Sequence, residues 1–243
     1  MRRNRTPGPD DEDRAVSEVL SFVLVFAIIM TSVAVLSMTG FQAMEDYQEG
    51  EQLRNGERAM EALADNFNDV MRYDGIDKRH GELSLREGTV TTGDEGTEVT
   101  IEVNDETIKD DEDWFDREDE SFNLGEFAYH YDDETIAYEG GGLIRESTNG
   151  GVVYEEPWFD CRSDTAIISL VEVDADDRSI QSSDGVGFTL SVENRTTETK
   201  TPGDADVTVS VENPEYDAWE NDDWECDGVE RIHVTIVTVD IEY

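Results

Sequence analysis

Lysine is scarce in this chain. Three lysines (Lys78, Lys109, Lys200) stand against 15 arginines and 61 acidic residues, and the formal net charge is −43. A surface this negative repels phosphate, which excludes charge-driven binding to nucleic acid or anionic lipid. Histidine is equally rare: His80, His130 and His233 lie far apart in the sequence. No Gly-x-Ser-x-Gly, His-Glu-x-x-His or phosphate-loop pattern occurs, so no catalytic residues and no cofactor are expected. Gly140-Gly141-Gly142 runs into Leu143 rather than a helix start with a lysine, and is not a phosphate cradle. Cysteine is limited to Cys161 and Cys226, without the short spacing of a zinc site, so no metal is expected. Charge is absent from Val19 to Met44, and proline from Glu45 to Arg72. Both gaps favour helix.

The first gap is long enough to cross a bilayer. Val19 to about Met38 is a nearly continuous apolar run, and about 20 such residues at a rise of about 1.5 Å match a hydrocarbon core of about 30 Å. The hydroxyls of Ser21, Thr31, Ser32 and Ser37 interrupt the run only as groups able to bond back to their own helix or to a neighbouring one. Arg2, Arg3, Arg5 and Arg14 precede the span, which by the positive-inside rule places the N-terminus in the cytoplasm and the rest outside. Residues 1–15 hold four arginines and four acids, Glu18 is the lone charge from 16 to 44, and the remaining −42 lies beyond the span. In an exterior, oxidising compartment Cys161 and Cys226 are expected to pair; the other reading is two buried thiols. Dense carboxylates with few lysines resemble the composition of proteins from extreme halophiles. In molar salt the Debye length falls to about 3 Å, so the self-repulsion of such a chain is screened.

Asp13-Arg14-Ala15-Val16-Ser17-Glu18-Val19-Leu20 leads directly into the apolar run. This junction resembles the class III signal peptide of archaeal type IV pilins and archaellins, above all haloarchaeal pilin-like proteins. The resemblance covers about 30 residues and departs from the family at Glu18, where proline is usual, and at Leu20-Ser21, where Ile-Gly is usual. It therefore implies a divergent or minor pilin rather than a major one. It implies a prepilin peptidase that cuts between Ala15 and Val16, with Arg14, Ala15 and Val16 as the processing residues. It implies other pilin-like subunits as partners, joined through the N-terminal helix. It places an acid, Glu18, at the third mature position, where it is able to neutralise a neighbour's ammonium in a filament core. The simpler reading is an acid favoured by a helix N-terminus.

Beyond the span, Leu53, Met60, Leu63, Phe67 and Val70/Met71 recur at helical spacing. The helix is therefore expected to run from 16 to 73, with Gly50 and Gly56 weakening it locally. Residues 1–15 form a cytoplasmic leader, disordered over 1–13 and removed on processing; residues 74–243 form an extracellular acidic β-rich domain. Period-two strands are expected at 82–86, 97–103, 167–173, 188–192, 207–211 and 229–243, the last buried on both faces. The glycines at 140–142 and 150–151 flank a hairpin. Asp110 to Glu120, with eight acids in 11 residues, reads as a solvated loop. Tyr216 to Trp224 reads as a short helix or loop pinned to the sheet. The fold class is α+β: a long N-terminal helix, membrane-embedded in its first half, packed on an antiparallel β-sheet or β-sandwich, as in pilins. Asn194-Arg195-Thr196 fits the N-glycosylation pattern, with Asn194 as acceptor.

Two functional readings share this topology. One is a type IV pilin-like surface protein, a minor pilin or pseudopilin-type subunit. The other is a stand-alone single-pass protein displaying an exterior binding or cell-envelope domain. A membrane-tethered enzyme is the third class, and no residue set in the sequence speaks for it.

Overall fold

The computed structural model describes residues 9–84, 88–108, 114–115, 121–182, 184–220 and 223–243, with side chains in the first helix described from Ser17 except at 45, 46 and 49. Helix α1 spans Pro9–Arg72. It begins inside the stretch read as disordered leader, so that expectation is corrected for residues 9–13; residues 1–8 lie outside the described residues. Proline suits the first turn of a helix, where its missing N–H would have no intrahelical partner. The chain divides into two units, Met1–Gln52 and Leu53–Tyr243, so the folded domain begins within α1 rather than after it.

In the first unit, Ser17–Met44 is long and apolar enough to cross a membrane, and none of it is buried. Its large apolar side chains are each more than half exposed, from Ile29 at 53% to Met38 at 72%. Its hydroxyls bond back along the helix: Ser32 Oγ donates to the Ile28 carbonyl at 2.7 Å and Thr39 Oγ1 to that of Val35 at 3.1 Å.

The second unit is mostly β. Among the described residues, strands numbered in chain order form three sheets. The first runs β1 (Lys78–Ser84), β13 (Gly185–Lys200), β16 (Arg231–Glu242), β11 (Thr165–Val173), β10 (Trp158–Arg162). The second runs β12 (Arg178–Gln181), β2 (Thr89–Gly93), β6 (Glu126–Tyr131), β7 (Glu134–Glu139), β8 (Gly142–Ser147), β9 (Gly150–Glu155). The third runs β15 (Trp224–Val229), β14 (Ala205–Asn213), β3 (Glu98–Val103), β4 (Glu106–Thr107), with β5 (Phe122–Asn123) also on β3.

The pairings are antiparallel except one: β11 and β16 run parallel from Thr165↔Arg231 to Val173↔Val239. The sheets are antiparallel as expected, and this pair is the exception among the described strands. A parallel pair needs a long crossover, and here it spans β12 to β15. The turns follow backbone chemistry. Gly140 and Gly141, at φ 62° and 95°, are the two loop residues between the paired Glu139 and Gly142, a position that favours residues able to adopt positive φ.

Two cores lie on opposite faces of the first sheet. Along β16, Ile232, Val234 and Ile236 face one and Val237, Val239 and Ile241 the other. The period-two alternation therefore buries both faces, as the long apolar strand requires. One core lies between the first and third sheets. The other contains the C-terminal part of α1: Met60, Leu63, Phe67 and Val70 are buried among residues of the first and second sheets. Phe67 makes edge contacts with Phe127, Tyr138 and Phe188 at ring separations of 5.5–5.9 Å.

Candidate functional site

Arg14, Ala15 and Val16, the residues at which the resemblance implies processing, lie in the first turns of α1, and their side chains lie outside the described residues. Glu18 is exposed on the helix. Cys161 on β10 and Cys226 on β15 are joined, Cα to Cα 5.8 Å, and tie the first sheet to the third. Asn194 is exposed on β13 beside a bulge between Val192 and Asn194, and its Nδ2 lies 3.5 Å from Thr196 Oγ1. The structure does not bring these residues into one site.

The helix joins the domain through two polar clamps that sequence reasoning missed. Asn68, buried on α1, donates to the Gly141 carbonyl at 2.8 Å and accepts from the Tyr138 hydroxyl at 2.8 Å. Burial pushes the Tyr138 phenol above its ordinary range. Arg195, the middle residue of the glycosylation tripeptide, turns inward. Its guanidinium donates to the carbonyls of Val70, Asp74 and Ile76 at 2.8–3.0 Å and lies 3.6 Å from the Asp77 carboxylate. The last carbonyls of a helix lack intrahelical partners and carry the negative end of its dipole, so an arginine there satisfies both.

Glu139, at the end of β7, is fully buried. Its carboxylate accepts from the Thr97 amide (3.0 Å), the Thr97 hydroxyl (2.8 Å) and the Trp219 indole N–H (2.7 Å). Loss of water pushes its pKa up to about 7, against the pull of these donors. Nearby, the Tyr216 hydroxyl donates to Glu126. These bonds hold the short 3-10 turn Asp217–Trp219 against the second sheet. The sequence expectation of a segment pinned to the sheet near Trp219 is met by this carboxylate; the disulfide at Cys226 pins the strand that follows.

The three histidines each bond a threonine on a paired strand: His80 to Thr189, His130 to Thr91 and Thr135, His233 to Thr199. Among the described residues no group of three His, Cys, Asp or Glu is placed to hold a metal. Most of the acidic stretch 110–120 lies outside the described residues. Within it Phe115 is buried against Phe122, and Trp114 lies under Lys200 at 5.6 Å.

No match is found among curated proteins or among solved structures. Residues 14–242 match a protein family described as a family of unknown function, DUF7289, a span that takes in the Arg14-Ala15-Val16 junction, the apolar helix and the β domain together. The chain belongs to that family.

Proposed function

We propose that this chain is a type IV pilin-like surface protein, a minor pilin or pseudopilin-type subunit of a surface filament in a halophilic archaeal cell. The observation that carries this reading is a juncture. Arg14-Ala15-Val16 runs straight into a 28-residue apolar helix that is wholly exposed. An apolar surface of that length needs a non-aqueous neighbour, either lipid or other helices of the same kind.

In this reading the helix serves both in turn. Before assembly it anchors the protein by a single pass, with the arginines of the leader inside and the acidic β domain outside. Prepilin peptidase then removes residues 1–15, and Val16 becomes the first residue. During assembly the helix exchanges lipid for the helices of neighbouring subunits. Glu18, the lone charge of the segment, then meets a neighbour's α-amino group. The protein has no catalytic role.

Mass spectrometry of the protein purified from cells with active peptidase tests the first step. The expected N-terminus is Val16; an intact leader overturns the reading. Shearing cells and probing the released filaments tests the second. Recovery only as a membrane monomer would instead favour a stand-alone anchored domain.

A further inference from the structure

We propose that the β domain binds a small organic cation, an ammonium carried on an apolar body, in a cavity lined by Phe159, Trp219 and Trp224. The cavity has a volume of about 250 Å³. That is just below the roughly 300–1,000 Å³ that drug-sized ligands fill, so its occupant is small.

Its walls are apolar and aromatic. Leu124, Leu170 and Val209 contribute aliphatic surface. The rings of Phe159 and Trp224 lie 5.7 Å apart, tilted by 44°. Trp219 adds a third ring, and its indole N–H is already committed to Glu139, which leaves its carbon surface for the cavity. Three aromatic rings border this one space, and a cation set over the face of such a ring is attracted by its quadrupole.

The charge around the cavity has one sign. Glu156 and Asp223 are exposed carboxylates on its lining, and among the described residues no lysine, arginine or histidine lines it. Thr97 and Trp219 both line the cavity and both donate to Glu139, so a buried acidic side chain stands behind the wall and adds to the negative field of Glu156 and Asp223 when it is ionised. No ion pair to Glu139 is found among the described residues. A carboxylate or phosphate ligand would be repelled by Glu156 and Asp223 and would find no cationic side chain among the described lining residues. A bare metal ion would find aromatic rings where it needs a shell of oxygens. An ammonium sheathed in methyl or methylene groups meets both the rings and the negative field. The site lies wholly within the β domain and does not depend on filament assembly.

The test uses a pair of ligands that differ in charge and match in shape: choline and 3,3-dimethylbutan-1-ol. Intrinsic tryptophan fluorescence of the full chain in detergent is titrated with each, at constant chloride. Choline is expected to give a saturable change, with the neutral alcohol about tenfold weaker or more. Trp224→Leu is expected to weaken choline about tenfold, whereas Trp224→Phe, which keeps a ring, retains most of the affinity. The double variant Asp223→Asn with Glu156→Gln narrows the gap between the two ligands. Asparagine at 223 keeps an acceptor for the Val211 amide, which now donates to Asp223 at 3.3 Å, so this variant is expected to fold. Equal affinity for the two ligands, no saturable change with either, or full affinity in Trp224→Leu would each overturn the proposal.

Discussion

The guanidinium of Arg195, on β13, donates to the carbonyl of Val70 in the last turn of α1 at 3.0 Å. With its bonds to Asp74 and Ile76, it fastens the end of the helix to the first sheet across more than a hundred residues of sequence. Replacing it with alanine leaves these carbonyls without their donor. Arg195→Ala is expected to destabilise the β domain by about 2–3 kcal/mol, and Arg195→Lys by less, in denaturant unfolding followed by tryptophan fluorescence. An unchanged midpoint in the alanine variant would show that the clamp contributes nothing.

Two of the helix glycines, Gly50 and Gly56, have opposite expectations. A Cβ at Gly56 would lie 2.6 Å from the ring of Tyr129, which a Cβ at Gly88 would approach to 2.4 Å from its other edge. Gly56→Ala is therefore an overpacking substitution against a buried aromatic, expected to cost about 1–3 kcal/mol. A Cβ at Gly50 meets nothing within 4 Å. Gly50→Ala is expected to raise helix stability by up to about 1 kcal/mol. Circular dichroism through thermal unfolding distinguishes the two; shifts of the same sign would contradict the packing seen at Tyr129.

Glu139 sets a pH dependence of a definite sign. Its folded pKa, about 7, lies above its ordinary value of 4.5. The folded state therefore holds this proton more tightly than the unfolded chain does. The contribution is complete below pH about 4.5 and is lost as pH rises through about 7, amounting to about 3 kcal/mol. Every other carboxylate contributes its own trend, so the measurement is a comparison. Unfolding free energies of the wild type and Glu139→Gln between pH 4.5 and 8 should show a steeper fall in the wild type. Parallel curves would mean that Glu139 titrates normally.

The Cys161–Cys226 bridge closes 65 residues of chain. In a chain-entropy account such a loop stabilises by about 4 kcal/mol. Reductant, or the paired serine variant, is expected to lower the unfolding midpoint by a corresponding amount. The β10–β15 end should lose amide-exchange protection first. No change on reduction would place the stabilisation elsewhere.

Much of this architecture was readable because local pattern and burial agree. The apolar positions Leu53, Met60, Leu63, Phe67, Val70 and Met71 make one helical stripe, and all of them reach the helix core. The last strand, expected at 229–243 and found at Arg231–Glu242 with Val229 ending β15, was readable as buried on both faces because it touches two cores. The strands β6 and β7 were not readable. Phe127 and Tyr129 face α1 while Ala128 faces Tyr216 and Trp219, so both faces are buried and the alternation that marks a half-exposed strand is blurred. Glu139 was hidden among 61 acids, since its difference from them is burial, which depends on segments far away in sequence. Arg195 was hidden by its neighbours: the tripeptide directs attention to Asn194, whereas strand alternation turns the next side chain inward. The parallel pairing of β11 with β16 has no local signature at all.

The position of β16 in the chain also fixes an order of events. It follows every other described strand, yet it supplies a wall to both cores. Neither core can close until residues 231–242 have emerged and been inserted between β13 and β11. Both cores therefore stay open in any chain from which residues 231–242 are missing.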